Sequence, residues 1–229
     1  MIRRVVVAEA KPGARAELAP EDLRHLERVL RARPGLEIEV MDGRGGVFRA
    51  VFLGRAAPQI EVLEPASPRA EIPSVVVALG CLKGARMDWA VEKLSELGVR
   101  SLVPLLAERS VAAPRLERWR RIARESAKQC GRATILEIEP PIAPAGLVTS
   151  PGGDRDRLLF DPGGPLVADR PPVHESALLV VGPEGGFTAG EKARLEQGGF
   201  AHVSLAGPIM RAETAAIAAA AVTIAVRSR

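Results

Sequence analysis

Two short segments near the carboxyl end carry residue types suited to holding a small ligand against the backbone. Val181-Gly182-Pro183-Glu184-Gly185-Gly186-Phe187 leaves an apolar run, enters a glycine-rich turn, and leads to Thr188-Ala189-Gly190-Glu191. Glycines in such a turn let a ligand approach the chain closely and leave backbone amides exposed to it. The segment is not a Walker loop, because no Gly-Lys-Ser/Thr follows, and it does not fit Gly-x-Gly-x-x-Gly. Taken alone it equally suits a tight strand-to-helix turn. The second segment, Leu205-Ala206-Gly207-Pro208-Ile209-Met210-Arg211-Ala212-Glu213-Thr214-Ala215, repeats the plan of strand, turn and alanine-rich helix. Two such loops at neighbouring strand ends form one pocket.

A second chemistry is written in charge. Between Arg109 and Arg132 stand Arg109, Arg115, Arg118, Arg120, Arg121, Arg124, Lys128 and Arg132, opposed only by Glu117 and Glu125. That local excess, with a net charge of +4 and a pI near 9.6, points to a polyanionic partner. Lysine occurs only at positions 11, 83, 93, 128 and 192, so the positive charge is mostly arginine. Its planar fork suits phosphates, although a GC-rich genome gives the same bias.

The elements that position these residues fall into two groups. In the first seventy residues, Pro20-Glu21-Asp22 opens a helix that carries Leu23, Leu26, Val29 and Leu30 on one side. Arg24, His25, Arg28, Arg31 and Arg33 lie on the other, and Pro34-Gly35 ends it. Short alternating segments at 37–40, 47–53 and 59–63 predict a small barrel. Pro65-Ala66-Ser67-Pro68-Arg69 reads as a linker. Beyond it, strands predicted at 75–79, 102–106, 157–160, 178–181 and 202–205 alternate with helices marked by Met87, Ala90, Val91 and Leu94, by Leu116 to Gln129, and by the capping box Thr188–Glu191. This α/β alternation predicts a parallel sheet with ligands at the carboxyl ends of its strands. The stretch from Pro140 to Pro172 otherwise reads as loop.

Composition narrows the classes. Aromatic residues make up only 3% of the chain, which argues against single-strand binding by base stacking. Two cysteines, Cys81 and Cys130, make neither a disulfide framework nor a zinc site. The amino-terminal apolar run is too short for a signal peptide, and the longest alanine-rich stretch, 215–226, is too short to span a bilayer. A cytoplasmic protein without a metal is expected.

Gly182-Pro183-Glu184-Gly185-Gly186-Phe187 together with Ile209-Met210-Arg211-Ala212-Glu213-Thr214-Ala215 resembles the RsmE family of 16S rRNA methyltransferases, in the knotted SPOUT superfamily. The resemblance continues, in order, through His25-Leu26 to Val29-Leu30-Arg31, Lys83-Gly84-Ala85-Arg86-Met87, Glu96-Leu97-Gly98-Val99, Glu108-Arg109-Ser110 and Gln129-Cys130-Gly131-Arg132. Met210 stands where the family usually has leucine, and Ala206-Gly207-Pro208 departs from its usual leucine-glycine pair and polar residue. The resemblance implies a PUA-like barrel over 1–70, a SPOUT domain over 71–229 with a trefoil knot, and a homodimer. General topology rules alone argue against a knot.

The resemblance further implies methyl transfer from S-adenosylmethionine to N3 of one uridine of 16S rRNA, in the assembled 30S subunit, leaving S-adenosylhomocysteine. The expected cofactor residues are Gly182, Glu184, Gly185, Gly186, Leu205, Ala206, Gly207, Ile209, Met210, Arg211, Thr214 and Ala215. Uridine N3 attacks poorly until its proton is removed or shared, so the site must orient the base and stabilise charge on the uracil oxygens. Arg211 is the candidate for that charge; its alternative is a salt bridge to Glu213. Arg24, His25, Arg28, Arg31, Arg109, Gln129 and Arg132 are candidates for holding RNA, the last two near the pocket. A SPOUT-type ribose 2′-O-methyltransferase acting on tRNA or rRNA, and a non-catalytic RNA-binding module, are the competing readings.

Overall fold

A computed structural model describes residues 4–29, 31–54, 58–66, 73–149 and 153–228. The chain divides into two compact units, Met1–Ala70 with Arg124–Ile135, and Glu71–Ala123 with Leu136–Arg229. The linker expected at Pro65–Arg69 lies, from Ser67 onward, outside the described residues, as does Leu30.

In the first unit, β1 (Arg4–Val6), β2 (Arg15–Glu17), β3 (Glu37–Met41), β4 (Val47–Phe52) and β5 (Gln59–Pro65) form one sheet in the order β1-β3-β4-β5-β2. β1 runs parallel to β3 and the other pairings are antiparallel, with a bulge between Arg49 and Ala50. Alternation places Ile38, Val40, Ala50, Phe52, Ile60 and Val62 in one core with Leu26. The helix predicted to run to Pro34-Gly35 is shorter. α1 (Pro20–Arg24) passes into a π-helical turn over His25–Val29. Arg31 then adopts the left-handed region at φ 49°, and the Ala32 N–H donates to the Leu26 carbonyl at 2.9 Å. The left-handed residue therefore closes the helix before the proline arrives.

The second unit holds the parallel sheet. It comprises β6 (Val75–Gly80), β7 (Ser101–Leu105), β8 (Glu137–Ile138), β9 (Asp156–Phe160), β10 (Ala177–Val181) and β11 (Ala201–Val203), ordered β11-β9-β10-β6-β7-β8. Every pairing is parallel. The middle strands explain the unbroken apolar runs: all of β10 is buried, and Val75, Val77, Ala78 and Leu79 of β6 are fully so, as burial on both faces requires. The sheet is flanked by α2 (Ala85–Leu97), α3 (Leu116–Cys130), α4 (Gly146–Thr149), α5 (Ala189–Gln197) and α6 (Ala212–Arg227). Gly98 at φ 92° ends α2. α3 contributes Leu116–Ala123 to this unit and its remainder to the other.

The end of the chain makes a long return. β11 lies at the sheet edge, yet α6 packs on β6 and β10 in the middle and alongside α2. Ala216, Ala219 and Ala220 are fully buried, and their small side chains permit this close approach. The segment from Ser204 to Arg211 spans the return and lies at the carboxyl ends of the strands. No helix among the described residues is long and apolar enough to cross a membrane.

Candidate cofactor and substrate site

Three loops at the carboxyl ends of β9, β10 and β11 enclose a cavity of about 710 Å³. Its walls are Phe160–Gly164 with Leu166, Val181–Glu184 with Gly186, and Ser204–Ala212 with Ala215; Arg86 reaches in from α2. Of the residues expected from sequence, Gly182, Glu184, Gly186, Leu205, Ala206, Gly207, Ile209, Met210, Arg211 and Ala215 line this cavity, whereas Gly185 and Thr214 do not. Thr214 is exposed on α6.

The glycines of the 182–186 turn differ in their surroundings. A Cβ on Gly185 meets Arg109 Cβ at 3.1 Å, so this residue packs against a neighbouring loop. Arg109 secures the same point by donating to the Gly185 carbonyl at 2.9 Å. Gly186 is the residue that faces open space, at φ 66°, and its N–H closes the turn on the Pro183 carbonyl at 2.8 Å. Beneath the turn, a Cβ on Gly80 falls 2.3 Å from Pro183 N. Only a hydrogen there lets the end of β6 support the loop. The capping box adds a further tie, since Glu191 accepts from Thr188 N–H at 2.8 Å and from Glu108 N–H at 2.9 Å.

Charged groups connect the loops to α2. Glu184 Oε1 accepts from Arg86 Nη1 at 3.2 Å and from the Lys83 N–H at 3.3 Å. Arg86 Nε also stands 3.9 Å from Glu213 Oε1. Glu213 is buried, and its second oxygen has no hydrogen-bond partner among the described residues. One guanidinium from α2 therefore faces carboxylates from both cofactor loops. Arg211, the N-terminal cap residue of α6, is exposed and has no ion-pair partner among the described residues. The salt bridge that could have absorbed it, to Glu213, is taken by Arg86.

The opposite rim was not legible beforehand, because it belongs to a stretch read as irregular. Asp161 follows β9 and accepts from Lys192 Nζ at 2.5 Å, while His202 Nε2 lies 3.5 Å from the same oxygen. Ser204 ties the two neighbouring loops, its hydroxyl donating to the Gly164 carbonyl at 2.7 Å and its N–H to the Pro165 carbonyl at 2.8 Å. A Cβ on Gly164 comes within 2.9 Å of the Val203 backbone. A Pro-Gly-Gly-Pro run at 162–165 is the one signal that could have located this wall.

The RNA candidates are divided between the units, with Arg109 beside the 182–186 turn in the second and the others on the first. Arg24, His25, Arg28 and Arg31 are exposed together on the first unit. Gln129 and Arg132 cluster with that unit too. Gln129 is exposed; Arg132 donates to Thr134 Oγ1 at 2.9 Å, and burial pushes its guanidinium down to about 10, still cationic at neutral pH. Much of the basic stretch is internally compensated. Arg118 pairs with Asp88, Arg120 with Glu117, Arg124 and Lys128 with Asp22.

Comparison with known proteins supplies a context for this site. Residues 69–224 match the family described as RNA methyltransferase domain, and residues 18–62 the RNA methyltransferase PUA domain. The ribosomal RNA small subunit methyltransferase E of a Synechocystis species is 33% identical over 93% of this chain and 74% of its own length. That of Mycobacterium tuberculosis is 30% identical over 90% and 85%. The crystal structure of the Neisseria gonorrhoeae ribosomal RNA small subunit methyltransferase E, bound to S-adenosyl methionine, superposes with a TM-score of 0.89 at 30% identity, covering 97% of this chain and 96% of that one.

Proposed function

The chain belongs to the ribosomal RNA small subunit methyltransferase E family, and from that premise we propose that it transfers a methyl group from S-adenosylmethionine to N3 of one uridine in the 16S rRNA of the 30S subunit. The cavity suits the cofactor on its own terms. Its volume falls within the range of small-molecule sites, roughly 300–1,000 Å³, and Leu205, Ile209, Met210 and Ala215 offer apolar surface beside the carboxylates of Asp161 and Glu184. Glu184, fixed by Arg86 and the Lys83 amide, and the amides of the 182–186 and 205–211 loops are the groups that would hold the cofactor. Bound there, it supplies an electrophilic methyl group on a positively charged sulfur.

The single observation that carries the reading is Arg211. It is an arginine in the wall of a ligand cavity, exposed and without an ion-pair partner among the described residues, at the end of one of the loops that converge on that cavity. To its guanidinium we assign the charge that develops on a uracil oxygen as the N3 proton leaves. Gly185 seats the turn on Arg109. Arg24, His25, Arg28 and Arg31 present a basic face of the first unit to RNA.

The long return from edge strand to central helix supports a trefoil knot in the second unit. We also infer a cytoplasmic homodimer. Incubating the protein and cofactor with 30S subunits from cells lacking it, followed by nucleoside mass spectrometry, tests the proposal. It expects 3-methyluridine; a 2′-O-methylated nucleoside transfers the protein to the ribose-methylating class, and no product leaves it a binding protein.

A further inference from the structure

Beside the cofactor cavity lies a second, smaller one of about 240 Å³, whose lining includes Leu82, Lys83, Gly84, Val111, Arg115 and Trp119. Nothing in the reaction just described uses it. Its two cations lack the carboxylate partners that several nearby cations have. Arg86, Lys93, Arg118 and Arg120 all pair with carboxylates, whereas neither Lys83 nor Arg115 has an ion-pair partner among the described residues. Both are exposed. A cation held by a carboxylate must share that partner to neutralise a phosphate, whereas an unpaired one neutralises it outright and so displaces the counterion condensed on the RNA there. Raw charge along the sequence is therefore a poor guide to the RNA path, and pairing is a better one.

The remaining lining fixes the kind of ligand. Leu82 and Trp119 are buried, at 2% exposure each, and form an apolar floor, while Val111 stands 65% exposed at the rim. Trp119 offers no open ring face for a base to stack on, so the cleft cannot read sequence by stacking. Two unpaired cations against an apolar wall suit a sugar–phosphate backbone. The position is suitable as well. Lys83 and Gly84 line this cleft, while Arg86, at most about 10 Å of chain further on, lines the cofactor cavity. The Lys83 amide is bonded to Glu184 of the cofactor loop.

We propose that this cleft binds the phosphate backbone of the RNA strand next to the target uridine, with Lys83 and Arg115 as the phosphate ligands, and so sets the register in which the uridine enters the cofactor cavity. The inference rests on the rRNA methyltransferase reading. Its contacts position the strand and do not specify its bases.

The test compares two double variants that remove the same net charge. In K83Q/R115Q the unpaired cations go; in R118Q/R120Q the paired ones go. Each is titrated with 30S subunits lacking the methyl group, at several monovalent salt concentrations and constant magnesium. Two lost phosphate contacts lower the log–log salt slope by about 1.4, taking roughly 0.7 per single-strand contact. Between 50 and 200 mM salt, the wild-type loss of affinity should then exceed that of K83Q/R115Q by about sevenfold. R118Q/R120Q should keep a slope near that of wild type. Val111→Glu, at an exposed position, should weaken 30S binding without affecting folding. All variants should bind S-adenosylhomocysteine as wild type does, since K83Q replaces only a side chain and keeps the backbone N–H that Glu184 accepts from. Equal slope changes in the two double variants, or an unchanged slope in K83Q/R115Q, overturns the inference while leaving the methyltransferase reading intact. Failure of the wild-type protein to bind 30S subunits would instead strike at that reading.

Discussion

The support of the cofactor loop by Gly80 makes a demanding prediction. In Gly80→Ala the new methyl group falls 2.3 Å from Pro183 N, 2.5 Å from its Cδ and 2.7 Å from its Cα. Non-bonded atoms prefer about 3.5–4.0 Å, so strand end and loop must separate by roughly 1 Å. Neither can give by rotating a side chain, because the obstacle is backbone and a proline ring. Overpacking of this kind costs about 1–3 kcal/mol, offset by about 0.4–1 kcal/mol from the stiffer unfolded chain. A net loss of about 1–2 kcal/mol in stability is expected. Function should suffer more, because the displaced Pro183 leads directly to Glu184 and Gly186. A displacement of about 1 Å in a positioning element can cost ~100-fold in rate. Calorimetric titration with S-adenosylhomocysteine should show at least a tenfold weaker complex, and urea unfolding should report the smaller stability loss. Gly190→Ala is the control, since a Cβ there meets nothing within 4 Å and its φ is ordinary. It should bind normally. Cofactor affinity within twofold of wild type in folded Gly80→Ala would refute the account of how β6 seats the loop.

Other consequences follow from the same contacts. Arg211→Ala should lower turnover on 30S subunits at least 100-fold while changing S-adenosylhomocysteine affinity less than threefold, since the arginine has no loop contact to lose; near-normal turnover removes it from the chemistry. Arg86→Gln and Glu184→Gln should each weaken cofactor binding about three- to tenfold, in line with about 0.5–1.5 kcal/mol for such a hydrogen bond, and the double variant should be no worse than the weaker single; additive losses would mean that the pair does not act as one unit. Burial pushes the Cys81 thiol up to about 11, so at pH 8 a thiol reagent should label half-buried Cys130 first and Cys81 only on unfolding. The same shift makes stability fall as the pH rises from about 9 towards 11, because the unfolded thiol ionises earlier; a flat unfolding midpoint across that window contradicts it. A chain starting at Glu71 should still bind S-adenosylhomocysteine, as all cavity residues lie beyond it, but should be less stable, because Ala133 and Ile135 lose Met41 and Val47; loss of cofactor binding in the folded fragment would show the two units to be interdependent.

What could be seen in the sequence was what is written locally. The runs Val75–Leu79 and Leu178–Val181 announce strands buried on both faces, and Thr188–Glu191 announces a helix start, because each depends on neighbours in the chain. The two glycine-containing loops could be paired because each follows a strand and leads into a helix. Arg86 could not be assigned, because its partners stand 98 and 127 positions away and nothing local marks the contact. Gly80 reads as an ordinary strand end until Pro183 is known to lie on it. The wall at 161–166 was hidden by its own composition, since proline and glycine read as loop whether or not the loop lines a cavity. Arg124–Ile135 looked like the end of a helix of the second unit. Its membership in the first depends on Lys128 meeting Asp22, and on Ala133 and Ile135 packing on Val6, Met41 and Val47.

The disposition of charge around the cavity gives these details a common sense. Burying Glu213 with one oxygen unbonded is costly, and its pairing with Arg86 at 3.9 Å is too loose to make it a source of stability. Glu184 is held better, but by the same guanidinium. The two carboxylates outnumber the one arginine between them, which leaves an excess negative charge at the α2 side of the cofactor loops. Arg211, two residues before Glu213 in sequence, is left without a partner and lines the cavity. A site with uncompensated negative charge among its supporting groups and an uncompensated positive charge in its wall suits two ligands of opposite demand: a cationic methyl donor and a base that becomes anionic as it reacts. Had Arg211 paired with Glu213, both fields would have been cancelled at once. Arg86, by occupying Glu213, keeps them apart.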